Sequence, residues 1–383
     1  MSPSPRLGPL LPPSVRRLFR RVFPHRPPDY ARLWDRACQK WVVGQTQVHG
    51  GHLHVTGWLV APPSLRPHMD FRINGEPVEK VVYPQNRPDV AELFGFVPDA
   101  AASGLDLWQK MPDGATGPGD LTIEAVDRRT GKPLGWDYAA YHVPSAERFG
   151  PMPAPHQMAR VIGAPSDFYF RMGGYTAYLA LEKAVREATG EPLTAYPRVL
   201  DWGCGCGRVS RYFLPLPGAR VAGVDVDPEN VAWCRANLPG RAWDVVPLRP
   251  PTGLPTAGFD LAFGVSVFTH LKEPEQYAWL DELRRVVRPG GLVLMTFHGD
   301  ASLVWSRLSA ERYTELRRDG FCEQANPLYD ADLGEADYYR DVFHTTDYVR
   351  REWGKYFEVL AVRPTWVAHQ DLVVMRRRAN PER

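Results

Sequence analysis

Arg198-Val199-Leu200-Asp201-Trp202-Gly203-Cys204-Gly205-Cys206-Gly207-Arg208-Val209 is the stretch whose reading decides the fold. A strand-like run leads into a glycine-rich turn, and a helix start follows. Glycines at such a turn let the backbone approach a ligand closely and supply dihedral angles that a Cβ forbids. A dinucleotide fingerprint of the form GxGxxG, counted from Gly203, needs glycine at position 208, where Arg208 stands. Counted from Gly205 it needs one at position 210, where Ser210 stands. The spacing therefore argues against a nicotinamide-type turn and leaves GxGxG with an acidic residue two positions ahead.

Outward from this turn, apolar strand-like runs alternate with helical stretches, the pattern of a parallel sheet covered on both faces. The pattern predicts strands over 198–202, 220–225, 242–247, 259–265, 291–297, 357–367 and 371–376. Asp227 followed by Pro228 reads as a helix N-cap with proline at the first helical position. Upstream, 167–188 reads as a helix, with Tyr178, Leu181, Val185 and Ala188 at three- and four-residue steps.

Taken in order, these features resemble the class I S-adenosylmethionine (SAM)-dependent methyltransferases. The glycine stretch is similar to that family's first motif, and Val221-Ala222-Gly223-Val224-Asp225 to its second strand ending in an acidic residue. Leu254 to Gly264 resembles its fourth strand with the preceding loop. Tyr277 to Gly291 resembles the helix and Pro-Gly-Gly turn ahead of the fifth. The resemblance implies SAM as cofactor and a doubly wound, Rossmann-like α/β sheet of seven strands, the last antiparallel and beside the fifth. It places Asp201, Gly203, Cys204, Gly205, Gly207, Asp225, Val226 and Val265 around the cofactor. Asp225 is assigned to the ribose hydroxyls, since a carboxylate there can accept from both. Asp201 has a second reading, as a strand-end residue that holds the glycine turn. Cys204 and Cys206 read as turn-packing residues rather than metal ligands, because no partner ligands stand at zinc spacing. No carboxylates cluster near the fourth strand, so no metal is expected.

In this family the sulfonium activates the methyl group, and the protein aligns a nucleophile with it and keeps water out. A hydroxyl acceptor also wants a base. His298 follows the fifth strand and is the first candidate; His369, at the start of the last strand, is the second. His270 follows the fourth strand and is the third, with a structural role as its alternative. His344 is expected on a lid over the site, within the long stretch 302–356 rich in Tyr, Trp, Arg and Asp. Arg171-Met172-Gly173-Gly174-Tyr175 is a candidate for closing over the methionine end of SAM.

At 383 residues two domains are expected. Residues 147–383 read as the catalytic domain. Residues 41–146 read as a small accessory β-sandwich, with short strands and turn signals such as Asn74-Gly75 and Arg129-Thr130-Gly131-Lys132. Asn86 to Gly95 resembles an insertion in β modules attached to bacterial glycan-modifying enzymes, which implies a glycan or glycan precursor as the acceptor, methylated on oxygen. Methylation of a small metabolite or lipid, and a non-catalytic SAM-binding scaffold, are the alternatives. Residues 1–40 form a Pro/Arg-rich basic tail, read either as a poorly ordered end or as a peripheral membrane contact. No apolar run reaches the roughly 18 residues of a membrane span. The net charge of +2 gives no reason to expect nucleic acid. Five scattered cysteines without CxxC spacing point to free thiols in a reducing, cytoplasmic setting. His52 and His54, on one face of a predicted strand, read as solvated residues.

Overall fold

The computed structural model describes residues 29–37, 41–61, 66–111, 119–132, 134, 140–239, 242–306, 308–327 and 334–379. The basic stretch 1–28 and Cys38 lie outside them.

Among the described residues, eight strands form the N-terminal part: β1 (Trp41–His49), β2 (His52–Leu59), β3 (Met69–Ile73), β4 (Glu76–Pro77), β5 (Lys80–Asn86), β6 (Ala102–Lys110), β7 (Leu121–Asp127) and β8 (Ala140–Val143). They make two four-stranded sheets, ordered β1-β2-β6-β5 and β4-β3-β7-β8, with every pairing antiparallel. Alternation sends Met69, Phe71 and Ile73 of β3 inward, and Leu121, Ile123 and Ala125 of β7 with them. These side chains share one apolar cluster with Trp41, Leu53, Val55 and Leu107 of the first sheet. Asn74 and Gly75, both at positive φ, turn β3 into β4 as their residue types demand. His54 lies half-buried, its ring stacked on Trp108 at 3.8 Å, which replaces the solvated reading of that residue.

The remaining strands are β9 (Arg198–Trp202), β10 (Arg220–Asp225), β11 (Ala242–Val245), β12 (Phe259–Gly264), β13 (Val287–Phe297), β14 (Phe321–Ala325), β15 (Arg340–His344), β16 (Glu358–Val367) and β17 (Gln370–Arg376). Seven of them form one sheet in the order β11-β10-β9-β12-β13-β17-β16. The pairs from β11 to β13 are parallel, and β17 runs antiparallel to both its neighbours. Alternate residues feed two cores. Leu200, Val224, Ala262 and Met295 face the helix Glu273–Val286, through Leu280 and Leu283. Val199, Val221, Phe263 and Leu294 face the helix Asp167–Thr189, through Ala177, Leu181 and Val185. The chain leaves β9 toward β10 on one side and reaches β12 on the other, so the sheet has its switch point at the carboxyl end of β9.

The stretch between β13 and β16 holds the helix Asp300–Ser306 and the two-stranded sheet β14–β15. Ala301, Val304 and Leu308 share a core with Trp34, Trp58, Val90 and Phe94 from the N-terminal part. Phe94 is buried with its ring 5.0 Å from that of Trp305. The two parts of the chain thus meet through packed aromatic rings near the end of β13.

Candidate functional site: the cleft at the end of β9

A cavity of about 600 Å³ opens at the switch point. Asp201, Gly203, Cys204, Gly205, Asp225, Val226 and Val265 line it, together with His270. The glycine turn is built for close approach. Gly205 has φ +51°, and a Cβ there would stand 2.8 Å from Val161 of the helix Pro155–Ile162, which covers the turn. Gly207 faces away from the cavity, toward Leu238 and Cys234, and serves packing.

Asp225 holds the turn in place. Its Oδ2 accepts from the Gly205 backbone N–H at 2.7 Å, and its Oδ1 from that of Asp227 at 2.9 Å. Each oxygen keeps a lone pair for a further donor. Burial pushes this carboxyl above its ordinary range, while the backbone donors pull it back. Asp227 caps the helix Pro228–Asn237, accepting from Glu229 N and Asn230 N. Asp201 is 3% exposed and accepts from the Ser210 hydroxyl, and burial raises its pKa to about 7. Cys204 and Cys206 are buried thiols: Cys206 donates to Asn230 Oδ1, Cys204 donates to the Gly205 carbonyl, and the neighbouring Cys234 thiol and burial hold Cys204 protonated. Among the described residues, no group of three or more His, Cys, Asp or Glu is arranged to hold a metal ion.

The opposite wall carries the histidines. His270 lines the cavity, its ring stacked on that of Tyr339 at 4.0 Å. Its Nδ1–H donates to the Arg340 carbonyl at 2.9 Å, which leaves the lone pair on Nε2. Burial lowers its pKa to about 4. His298 and His369 stand behind it: the His298 ring lies 6.1 Å from that of His270 and 5.8 Å from that of His369. Neither lines the cavity, although the antiparallel β17 does bring His369 beside His298. Burial, then the neighbouring imidazoles, hold His298 well below the usual histidine range, and its Nδ1 is buried without a partner. His344 is not on a lid. It ends β15, 1% exposed, and donates from Nε2 to Gln276 Oε1 among Phe297, Phe321 and Trp353. The chain supplies a different cover. Tyr338 and Tyr339 line the cavity, Tyr338 donates to the Leu248 carbonyl, and the ion pairs Arg249–Glu335 and Lys272–Asp337 flank them.

Arg208, Val161 and Trp279 also line the cavity, and the sequence reading did not include them among the site residues. For Arg208 the signal was present, since it is the residue that breaks the dinucleotide spacing.

Residues 199–291 match the profile of a family described as a methyltransferase domain. A malonyl-[acyl-carrier protein] O-methyltransferase from Serratia marcescens is 30% identical over 155 residues, covering 39% of this chain and 59% of the relative. A trans-aconitate 2-methyltransferase from Methylobacterium nodulans is 36% identical over 104 residues, 26% of this chain and 38% of the relative. The chain therefore spans less than two thirds of the length of these curated relatives. A SAM-dependent methyltransferase structure from Mesorhizobium loti aligns with 52% of this chain and 98% of its own, at 20% identity and a TM-score of 0.38. The stretch from β9 to the start of β13, which contains the glycine turn and Asp225, is the part of the chain that matches the methyltransferase-domain family.

Proposed function

We propose that this chain is a SAM-dependent methyltransferase acting on a hydroxyl of a polar acceptor. The observation that carries the reading is the wall formed by Gly203, Gly205 and Asp225, where the backbone is open to a ligand and a carboxylate keeps one lone pair on each oxygen. Those lone pairs suit the two vicinal hydroxyls of a ribose, and Val226 and Val265 add apolar surface beside them. When bound, SAM supplies a methyl group already activated by a sulfonium. The protein's part is then to orient the acceptor, exclude water and take its proton. His270, with Nε2 as the lone-pair nitrogen, is the imidazole on the cavity wall and the first choice as base. His298 and His369 support it from behind.

In this reading residues 147–383 are the catalytic unit, and 41–146 form an accessory antiparallel β-sandwich. A glycan or glycan precursor as acceptor rests on the likeness of 86–95 to segments of glycan-enzyme modules. A small metabolite is the second choice, favoured by the small-acid name of the trans-aconitate relative.

Calorimetric titration of the protein with SAM, S-adenosylhomocysteine and NAD tests the cofactor, with Asp225→Ala in parallel and melting temperatures as the folding control. Binding of both sulfur compounds, none of NAD, and loss in a folded variant are expected. Absence of binding by either sulfur compound sinks the proposal. A panel of sugar nucleotides, carboxylic acids and lipids, scored for methyl transfer from labelled SAM, then separates the acceptors.

A further inference from the structure

The helix Asp167–Thr189 carries two consecutive glycines, Gly173 and Gly174, well inside its 23 residues. Glycine there weakens a helix relative to alanine, so the pair calls for a reason. The reason is Arg208. A Cβ on Gly174 would run into the Arg208 backbone and come 3.0 Å from its Cγ, and one on Gly173 would stand 3.3 Å from Nη1. The helix is notched where this side chain crosses it.

The notch delivers a guanidinium to the cavity wall, and none of the described residues receives it. Among the described residues Arg208 makes no hydrogen bond and no ion pair, and its Nε is buried without an acceptor. Asp201 acts on it through space, but that carboxylate is engaged by the Ser210 hydroxyl. Arg211, three residues on, shows what a structural arginine looks like here. It is more deeply buried, and donates to the carbonyls of Gly207, Phe149, Pro151 and Cys206. A cation without partners, half-buried in a ligand cavity, is costly unless an anion of the ligand pairs with it. Asp201 stands on the same wall and offers carboxyl oxygens as acceptors, so the pair suits the carboxylate and the amine of an α-amino acid.

We propose that Arg208, delivered through the Gly173–Gly174 notch, binds the carboxylate of the cofactor's amino-acid end and so selects adenosyl amino acids over adenosyl thioethers that lack it. This rests on the cavity being the cofactor site.

The test uses three probes in calorimetric titrations of the full chain: S-adenosylhomocysteine, S-adenosyl-3-thiopropylamine, which keeps the amine and lacks the carboxylate, and 5′-methylthioadenosine, which lacks both. Wild type is expected to bind the first about 10- to 150-fold tighter than the second, the worth of a charge-assisted pair. Arg208→Met removes that preference and leaves affinity for 5′-methylthioadenosine unchanged, whereas Arg208→Lys restores part of it. Gly174→Val, which displaces the side chain without altering its charge, reproduces the Met pattern. Equal loss for all three probes in a folded Arg208→Met protein overturns the proposal, as does no loss for any. If wild type binds none of the three, the cofactor reading itself falls, an outcome distinct from either of those.

Discussion

The glycine wall and the histidine wall of the cleft are built on opposite plans. On the first, the turn from Gly203 to Gly207 and the strand end at Asp225 are neighbours across one parallel pair, β9 and β10. The carboxylate there is tied to backbone N–H groups only a few residues from the turn or from itself. On the second, His270, His298, His344 and His369 come from four separate segments. What joins them is burial and ring packing, and two of their nitrogens, His298 Nδ1 and His344 Nδ1, are buried without a partner. The difference teaches where each wall is vulnerable. The glycine wall depends on local backbone geometry, the histidine wall on everything packed behind it.

The N-terminal part offers the strongest way to break that comparison. Phe94 packs on Trp305, whose ring lies 6.0 Å from that of His369. Phe94→Ala removes a ring that is 1% exposed and is expected to destabilise the protein by about 3–5 kcal/mol. In the fraction that stays folded, S-adenosylhomocysteine affinity should hold, because the glycine wall touches none of these rings. Urea unfolding together with calorimetry checks both halves, and a matching fall in cofactor affinity would show that the walls are not independent.

pH separates the walls by sign. The four histidines have folded pKa values below the ordinary one: about 4 for His270 and His369, about 3 for His344, and well below normal for His298. Between the ordinary value of about 6.5 and those lowered values the unfolded chain binds more protons, so stability falls as pH falls through that window. Each histidine contributes at most about 1.4 kcal/mol per pH unit. Asp201 works the other way. Its pKa is raised to about 7, so between about 4 and 7 the folded state binds the extra proton and stability falls as pH rises. Urea midpoints measured at half-unit steps from pH 4.5 to 8 should lose their acid-side slope in part with His344→Gln. Asp201→Asn should instead flatten the opposing slope. A variant that shifts every midpoint equally would refute the assignment of that slope to its residue.

The smallest effect belongs to the ion pairs over the cleft. Arg249 meets Glu335 at 2.6 Å with its side chain 47% exposed. Arg249→Ala should therefore cost less than about 1 kcal/mol, and the difference should vanish in 1 M salt. A larger, salt-resistant loss would mean that the cover over the cleft is part of the core.

Much of the first wall was legible in the linear text, because its determinants are local. The strand and glycine turn, the acidic end of β10 and the Asp227–Pro228 cap each depend on residues within a few positions of one another, whereas the helix start expected after the turn is no more than the 3-10 turn Ser210–Tyr212. The strand edges shifted by a residue or a few at β11, β12, β13, β16 and β17, where hydrogen bonding rather than composition sets the limits. The second wall was legible only as a set of candidates. His298 and His369 were ranked by the strand ends they occupy, but β13 and β17 bury them behind the cavity, and His270 faces it because Tyr339 and the Arg340 carbonyl orient its ring. His344 looked like a lid residue since its segment is long and polar. The pairing of β14 with β15 puts it instead in the aromatic core.

The order of apolar runs and the glycine spacing were enough to determine a doubly wound sheet with a ligand turn at the end of β9, for periodicity and backbone sterics act within a few residues. Which histidine meets the cavity, where the Arg208 guanidinium ends up, and how Phe94 reaches the second wall were decided by the tertiary structure alone. Those outcomes depend on side chains far apart in sequence competing for the same volume and the same hydrogen-bond partners. No local pattern carries that information.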